Sequence, residues 1–411
     1  MKAPEPPAAS AEGSAELVSV VRADIQSNPS PSSPSGGITF ARFMELALYH
    51  PDLGYYRQAT DRPTRLAPSG DGGKGGGGKG GGGDFLTAPE THPIFGWTIA
   101  RRIERIWFDL GRPDPFTILE YGAGSGTLAL SIFEGLRRHD ANDLLHVVRY
   151  EPVEQNPHRL DDLRRRFEKE GLRPLLVDTC SPPDRSVPIS GVILANEFLD
   201  ALPVHRFVVR GGKLRELFVS WGATGNGAEG FVAVEGEPSS GALAERLAED
   251  GVRVDQLAEG QVGEISLGLG EWLREAAAQL ERGFVLVFDY GHEAAELYGP
   301  RRLAGTLLGY RGHRLVHDPF EMIGLTDLTA HVDLTALRLI GERHVLRVVE
   351  SATQAQWLLT TGLEAEWQEL RAALQAKGEA AVPEYLAARS ALIRLLDPRH
   401  LGRFRAVVLA K

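Results

Sequence analysis

From Thr117 onward the chain alternates short apolar runs with amphipathic stretches. TILEYG reads as a buried strand, and the TLALSIFEGLRR behind it repeats apolar residues at helical spacing, which predicts a helix to about Arg138. LHVVRYE is the next strand, a helix rich in Arg and Asp follows over about 157–169, and LLVD and GVILAN are two further strands. This alternation predicts an α/β domain. After His205 the period changes to two: HRFVVRGGKLRELFVSWG and GFVAVEG read as antiparallel hairpins with Gly211 and Gly212 as a turn, so 204–265 is an inserted β subdomain. Alternation resumes with the helix LGEWLREAAAQLE and the buried strand FVLVFDYG. It closes with HVLRVVE, a helical EAEWQELRAAL and the strand RFRAVVLAK.

Two stretches interrupt the pattern. The first 37 residues are rich in Pro, Ser and Ala, which predicts a disordered leader. Glu5, Glu12, Glu16 and Asp24 there speak against a transit peptide, and no signal-peptide core is present, so a cytoplasmic address is expected. SGDGGKGGGGKGGGG, residues 69–83, buries no apolar surface and reads as a flexible linker. A phosphate-binding loop is the weaker reading of it, because no strand precedes the tract and no helix start directly follows. The expected organisation is a leader over 1–37, an N-terminal helical segment over 38–110 and a core over 111–411.

Composition narrows the function. The 411 residues are 43% hydrophobic and 24% charged, as in an ordinary globular protein, and a net charge of −10 argues against nucleic acid as the main partner. No apolar run approaches the roughly 18 residues that would span a bilayer. The single cysteine, Cys180, excludes an intrachain disulfide and a cysteine-based metal cluster.

The candidate chemistry begins at ILEYGAGSGTLALSI. A strand that ends in a glycine turn and opens a helix aims backbone amides and the positive helix end at a ligand. The glycines are Gly122, Gly124 and Gly126, and a dinucleotide turn would want its third glycine where Thr127 stands. This G-x-G-x-G spacing with Glu120 before it is the first-strand pattern of S-adenosylmethionine-dependent methyltransferases, in which Glu120 would face the ammonium of the cofactor's methionine moiety. Glu151, ending the second strand, would accept the ribose hydroxyls. Asp178 is a candidate for the adenine edge, with a solvated loop aspartate as the alternative. The fourth strand runs into NEFLDALPVHRF, which places Asn196, Glu197 and Asp200 at the carboxyl end of the sheet, where open α/β folds bind ligands. The plainer account of Glu197 and Asp200 is that acids favour the first turn of a helix.

ITFARFMELALYHPDLGYY, GDFLTAPETHPIFGWTIARRI, LEYGAGSGTL, NEFLDALPVHRF, FDYGH and GLTDLTAHVDL occur in that order. They resemble successive motifs of the protein-arginine methyltransferases related to the mitochondrial respiratory complex I assembly factor. The resemblance covers about 38–350. It implies a class I methyltransferase, Rossmann-like sheet with helices on both faces, S-adenosylmethionine as donor, and a protein substrate presenting arginine, a complex I subunit for the mitochondrial member. The chain departs from the family in its glycine tract and in its leader. By resemblance Asp84, Phe85, Thr87, Pro89 and Glu90 lie near the cofactor; read alone, Thr87 and Glu90 are a helix cap and its third position. Gly54, Tyr55 and Tyr56 would cover the site or fill a core. His205 and His292 read as hydrogen-bonded structural histidines rather than bases. Asp327, His331 and Asp333 have the look of a metal triad, but lining of the acceptor pocket is preferred and no metal is expected. Glu197 is the expected acceptor carboxylate, with Asp200 second and Asn196 fixing geometry. A small-molecule methyltransferase and a non-catalytic assembly factor of the same fold are the rival readings.

Overall fold

The apolar runs of the sequence form the centre of a six-stranded sheet in the computed structural model, which describes residues 14–58, 88–177, 188–225, 227–311 and 314–411. Helix α1 (Ile94–Asp109) leads into strand β1 (Phe116–Tyr121), followed by α2 (Thr127–Arg138), β2 (Val148–Val153) and α3 (Pro157–Lys169). β3 (Ile189–Asn196), β4 (Leu280–Asp289), β5 (Arg347–Thr353), α4 (Leu363–Ala376) and β6 (Arg405–Ala410) complete the part that concerns the site. The strand order is β5-β6-β4-β3-β1-β2. β2, β1, β3 and β4 run parallel, and β6 is antiparallel to both β4 and β5. Every residue of β1 is buried, as expected for a central strand covered on both faces.

The chain runs from β1 outward to β2 and then back across to β3, so the order reverses beside β1. In open α/β sheets the crevice at that reversal, outside the carboxyl ends of the strands, is where ligands bind. The helices are fixed by apolar and ionic contacts. Phe95, Trp97, Ile99 and Ile103 of α1 share a core with Phe133, Phe167 and Trp357. Glu366 of α4 is fully buried and takes Arg101 of α1 together with His139, whose Nε2 lies 2.6 Å away.

Two compact units divide the chain. One comprises Ala59–Asp200, Glu271–Gly291 and Leu337–Lys411 and contains this sheet; the other comprises Met1–Gln58, Ala201–Gly270 and His292–Ala336. In the second, strands His205–Arg210, Lys213–Ala223, Glu229–Gly236 and Val262–Ile265 form an antiparallel sheet together with Ile38–Thr39, so the sheet expected from 204–265 takes one strand from outside that range. Gly211 and Gly212, with φ of +55° and +70°, make its two-residue hairpin turn.

Three expectations are corrected. Residues 14–37 are not a disordered leader throughout: Ala15–Ser27 is a helix capped by Ser14, with Leu17, Val18, Val21 and Ile25 buried against Phe40, Phe43 and Val219. Residues 38–110 are not one helical segment, because Phe40–Tyr49 belongs to the unit with the antiparallel sheet and α1 to the other. Of LLVD, the described residues 175–177 form no strand: Arg173–Leu175 is a single 3-10 turn, and beyond it Leu176 makes an isolated bridge to Tyr150. The glycine tract 69–83 lies outside the described residues.

Candidate active site at the carboxyl ends of β1 and β3

Directly after β1, Gly122, Gly124 and Gly126 take φ of +68°, +55° and +78°, the left-handed region that glycine enters at no steric cost. The three do different work. A Cβ on Gly126 would lie 2.9 Å from Leu163 Cγ, so this glycine allows α2 to start against α3. A Cβ on Gly124 would meet nothing nearer than Gly122 O at 4.0 Å, which leaves a cradle of exposed backbone. The cradle is held from β2: the Gly122 N–H donates to Val153 O at 2.9 Å, and the Gly124 N–H donates to Glu154 Oε2 at 2.8 Å. Glu154, whose Oε1 also accepts the Asn156 N–H at 2.7 Å, is a site residue that the sequence reading missed.

Glu120 and Glu151 lie on opposite faces of the sheet, since Glu120 is in register with Pro152 and Glu151 with Leu119. Glu120 is 3% exposed and accepts the Tyr150 hydroxyl at 2.6 Å. Burial pushes its carboxyl up to about 7 against the pull of that hydrogen bond, and the Glu154 charge adds to the rise. Burial, with Glu120 alongside, also holds the Tyr150 phenol well above its usual value. Glu151 is buried inside β2, two residues short of the strand end at which the sequence reading placed it.

The second turn follows β3. Asn196 ends the strand, and Glu197 stands at φ +48°, an uncommon conformation for a residue with a side chain. Its N–H is tied to Phe288 O at 2.8 Å, while its Oε1 accepts the Ala88 N–H at 3.3 Å and Asn196 Nδ2 at 3.4 Å. Burial first, then the Asp289 and Glu90 charges, push the Glu197 carboxyl up to about 8. Asp289, 1% exposed at the end of β4, gathers the turn. Its Oδ2 accepts the N–H groups of Phe198, Leu199 and Asp200 at 3.1, 2.8 and 3.3 Å, and its Oδ1 accepts that of Tyr290 at 2.8 Å. Burial outweighs these four hydrogen bonds and raises its carboxyl to about 7. The two turns meet through Phe198, whose ring would stand 3.2 Å from a Cβ on Gly122 and packs with Tyr121 and Trp272 at centroid distances of 5.5 and 6.1 Å. These aromatics too were missed, because no local pattern links positions 121, 198 and 272.

The structure places Glu120, Gly122, Gly124, Gly126, Asn196, Glu197 and Asp200 at or just beyond the ends of β1 and β3, and Glu151 on the neighbouring β2, on the opposite face of the sheet from Glu120. Pro89 and Glu90 join them through the short helix Ala88–Thr91, whose first N–H reaches Glu197. Thr87, Asp84, Phe85 and Asp178 lie outside the described residues. Asp200 is buried, and its N–H is one of the three on Asp289 Oδ2. His205 pairs through Nδ1 with the buried Glu216 at 2.8 Å, and His292 with Glu296 at 3.2 Å, the structural roles expected of both. The triad read from TDLTAHVD disperses: Asp327 takes the Tyr56 hydroxyl at 2.7 Å, the His331 ring stacks obliquely on His292 at 5.1 Å, and Asp333 caps the next helix through the Ala336 N–H.

Residues 98–351 match the family described as "Putative S-adenosyl-L-methionine-dependent methyltransferase". Over 99% of this chain and 87% of its own length, a Drosophila melanogaster protein named protein arginine methyltransferase NDUFAF7 homolog, mitochondrial, is 27% identical. The Homo sapiens protein arginine methyltransferase NDUFAF7, mitochondrial, is 28% identical over 76% of this chain and 67% of its own. A crystal structure of a Burkholderia thailandensis protein bound to S-adenosyl-homocysteine superposes with a TM-score of 0.78 at 28% identity, covering 96% of this chain and 92% of that one. The expectation of a cytoplasmic address does not stand against relatives that are mitochondrial by name. Two of the acids on which it rested, Glu16 and Asp24, belong to a folded helix and carry no information about a leader. No described helix is long and apolar enough to cross a membrane.

Proposed function

Because the chain belongs to this family of S-adenosyl-L-methionine-dependent methyltransferases, we propose that it methylates arginine side chains of a protein substrate, with Glu197 as the carboxylate that holds the acceptor. The names of the relatives support the substrate class. The residue assignment rests on one observation: Glu197 is held in the left-handed region at a strand end, beside the glycine cradle, with its carboxyl pushed up to about 8. Strained backbone and perturbed carboxyls both cluster at functional sites.

The cofactor supplies a methyl group already activated on a sulfonium. The crevice suits that ligand: the Gly124 cradle is uncharged backbone, and Asn196 Oδ1 is buried without a hydrogen-bond partner among the described residues. Glu151 is assigned to the ribose hydroxyls and Glu120, oriented by Tyr150, to the ammonium. A guanidinium is always charged and its lone pairs are delocalised, so it needs orientation and a place for the proton it gives up. In the empty site Glu197 keeps its proton; a guanidinium arriving beside it favours the ionised form, and Glu197 is then a charged partner before transfer and a proton acceptor during it. Asn196 fixes the Glu197 carboxylate through its amide. Aligning the acceptor and excluding water supplies most of the rest of the acceleration.

The reading is tested by mass spectrometry of methylarginine-containing proteins in cells with and without the chain, with respiratory complex I subunits as the first candidates. Sites that vanish in its absence and return with the wild-type gene are expected. An unchanged methylarginine inventory together with a missing methylated metabolite would replace it with a small-molecule methyltransferase.

A further inference from the structure

We infer that Asp289 is a positioning residue for methyl transfer, whose buried carboxylate collects the N–H groups of Phe198, Leu199, Asp200 and Tyr290 and thereby sets the turn that presents Glu197. The inference rests on the reading of Glu197 as the acceptor carboxylate. Asp289 is 1% exposed, and no lysine or arginine forms an ion pair with it among the described residues. A carboxylate buried without a cation is costly unless hydrogen bonds hold it, and here four backbone donors do. Three of the four belong to the residues immediately after Glu197.

The consequence is geometric. β3 and β4 are in register to Asn196 and Phe288, and the Glu197 N–H still bonds Phe288 O at 2.8 Å. Beyond that point the β3 chain must leave the sheet, and a residue with a side chain is forced to φ +48° to do so. Left-handed conformations at such residues persist only where the surroundings over-determine them. Asp289, the next residue on β4, supplies that determination by fixing the three N–H groups downstream, while Phe288 O fixes the one upstream. The Glu197 side chain is thereby held between the Ala88 N–H and the Asn196 amide. Without Asp289 the turn can relax, and a misplacement of about 1 Å at the acceptor carboxylate is enough to cost on the order of 100-fold in rate.

The test uses the full chain with Asp289→Asn, Asp289→Ala and Glu197→Gln. Three quantities are measured: the rate of label transfer from tritiated S-adenosylmethionine into lysate protein from cells lacking the chain, KM for S-adenosylmethionine, and calorimetric affinity for S-adenosyl-homocysteine. Asp289→Asn keeps one acceptor oxygen and should slow transfer about 10-fold; Asp289→Ala keeps none and should slow it about 100-fold. KM for the donor and affinity for the product should stay within about 3-fold in both, a split that a general loss of folding would not give. A folded Asp289→Ala protein that transfers at the wild-type rate overturns the inference, and so does a parallel loss of transfer and product affinity. If Asp289→Ala does not fold, Asp289→Asn and a backbone ester at Leu199, which deletes the 2.8 Å donor, decide it: slowed transfer supports the inference and normal transfer in both overturns it. Glu197→Gln separates the two claims, since normal transfer in that variant defeats the reading of Glu197 whatever Asp289 does.

Discussion

Replacing Glu197 with Gln should stabilise the protein at alkaline pH while removing its activity. The carboxyl sits at about 8 in the fold against a usual 4.5. Below about 4.5 both folded and unfolded chains hold the proton, and the site costs nothing. Between 4.5 and 8 the unfolded chain ionises while the folded one keeps its proton, so stability falls as pH rises, and above 8 the cost is complete. The gap corresponds to at most ~5 kcal/mol. Relaxation and water entry reduce that ceiling, and about 1–3 kcal/mol is the expected gain for Glu197→Gln at pH 9, shrinking toward zero at pH 5. Glu120 and Asp333, each raised to about 7 by causes that do not include Glu197, bend the wild-type and variant curves alike, whereas Asp289, also raised to about 7, repels Glu197, so the difference between the two curves reports Glu197 together with that repulsion. Urea unfolding at pH 5, 7 and 9 measures it. The amide cannot balance a guanidinium or take its proton, so transfer should fall by roughly two to four orders of magnitude. A stability difference that is flat in pH, or a variant that is less stable at pH 9, would refute the argument that Glu197 is a buried, proton-retaining carboxyl.

The two glycines of the first turn should fail differently. Gly124→Val should lose S-adenosylmethionine binding, whereas Gly126→Ala should lose stability by about 1–3 kcal/mol because its Cβ meets Leu163 at 2.9 Å; a folded Gly124→Val protein with full cofactor affinity contradicts the cradle. Glu151→Ala removes a charge-assisted contact to the ribose and should weaken cofactor binding by about 1.5–3 kcal/mol, and calorimetry showing unchanged affinity takes Glu151 out of the site. Shortening Gly72 to Gly82 to a few residues should leave melting and activity nearly unchanged, since loop length costs only about 0.6 kcal/mol per doubling; loss of cofactor binding would assign the tract a place over the site.

Elements whose burial is set by their own periodicity were legible in the sequence. β1 is buried at every position, and α3 spans Pro157–Lys169, where a helix rich in Arg and Asp was expected over about 157–169. The Gly211–Gly212 hairpin follows from turn chemistry alone. The helix Ala15–Ser27 was hidden by its surroundings: Leu17, Val21 and Ile25 form a helical stripe, but Pro and Ser on both sides set the composition of the window. At the site, strand-end acids could be found wherever a side chain was the expected ligand contact. Asp289 could not, because its partners are backbone N–H groups, three of the four some ninety positions earlier in the chain, and backbone donors leave no trace in residue identity. Glu154 was missed for the same reason, its partners being the Gly124 and Asn156 N–H groups. The division into two units was also beyond local pattern, since each is assembled from three separated stretches.

The most direct measurement is the fate of the labelled methyl group. Purified chain, tritiated S-adenosylmethionine and lysate from cells lacking the protein should yield labelled protein whose acid hydrolysate carries the tritium in methylarginine, and the Glu197→Gln protein, with its cofactor affinity intact, should yield almost none. Label confined to small molecules, or found in protein on residues other than arginine, would contradict the account.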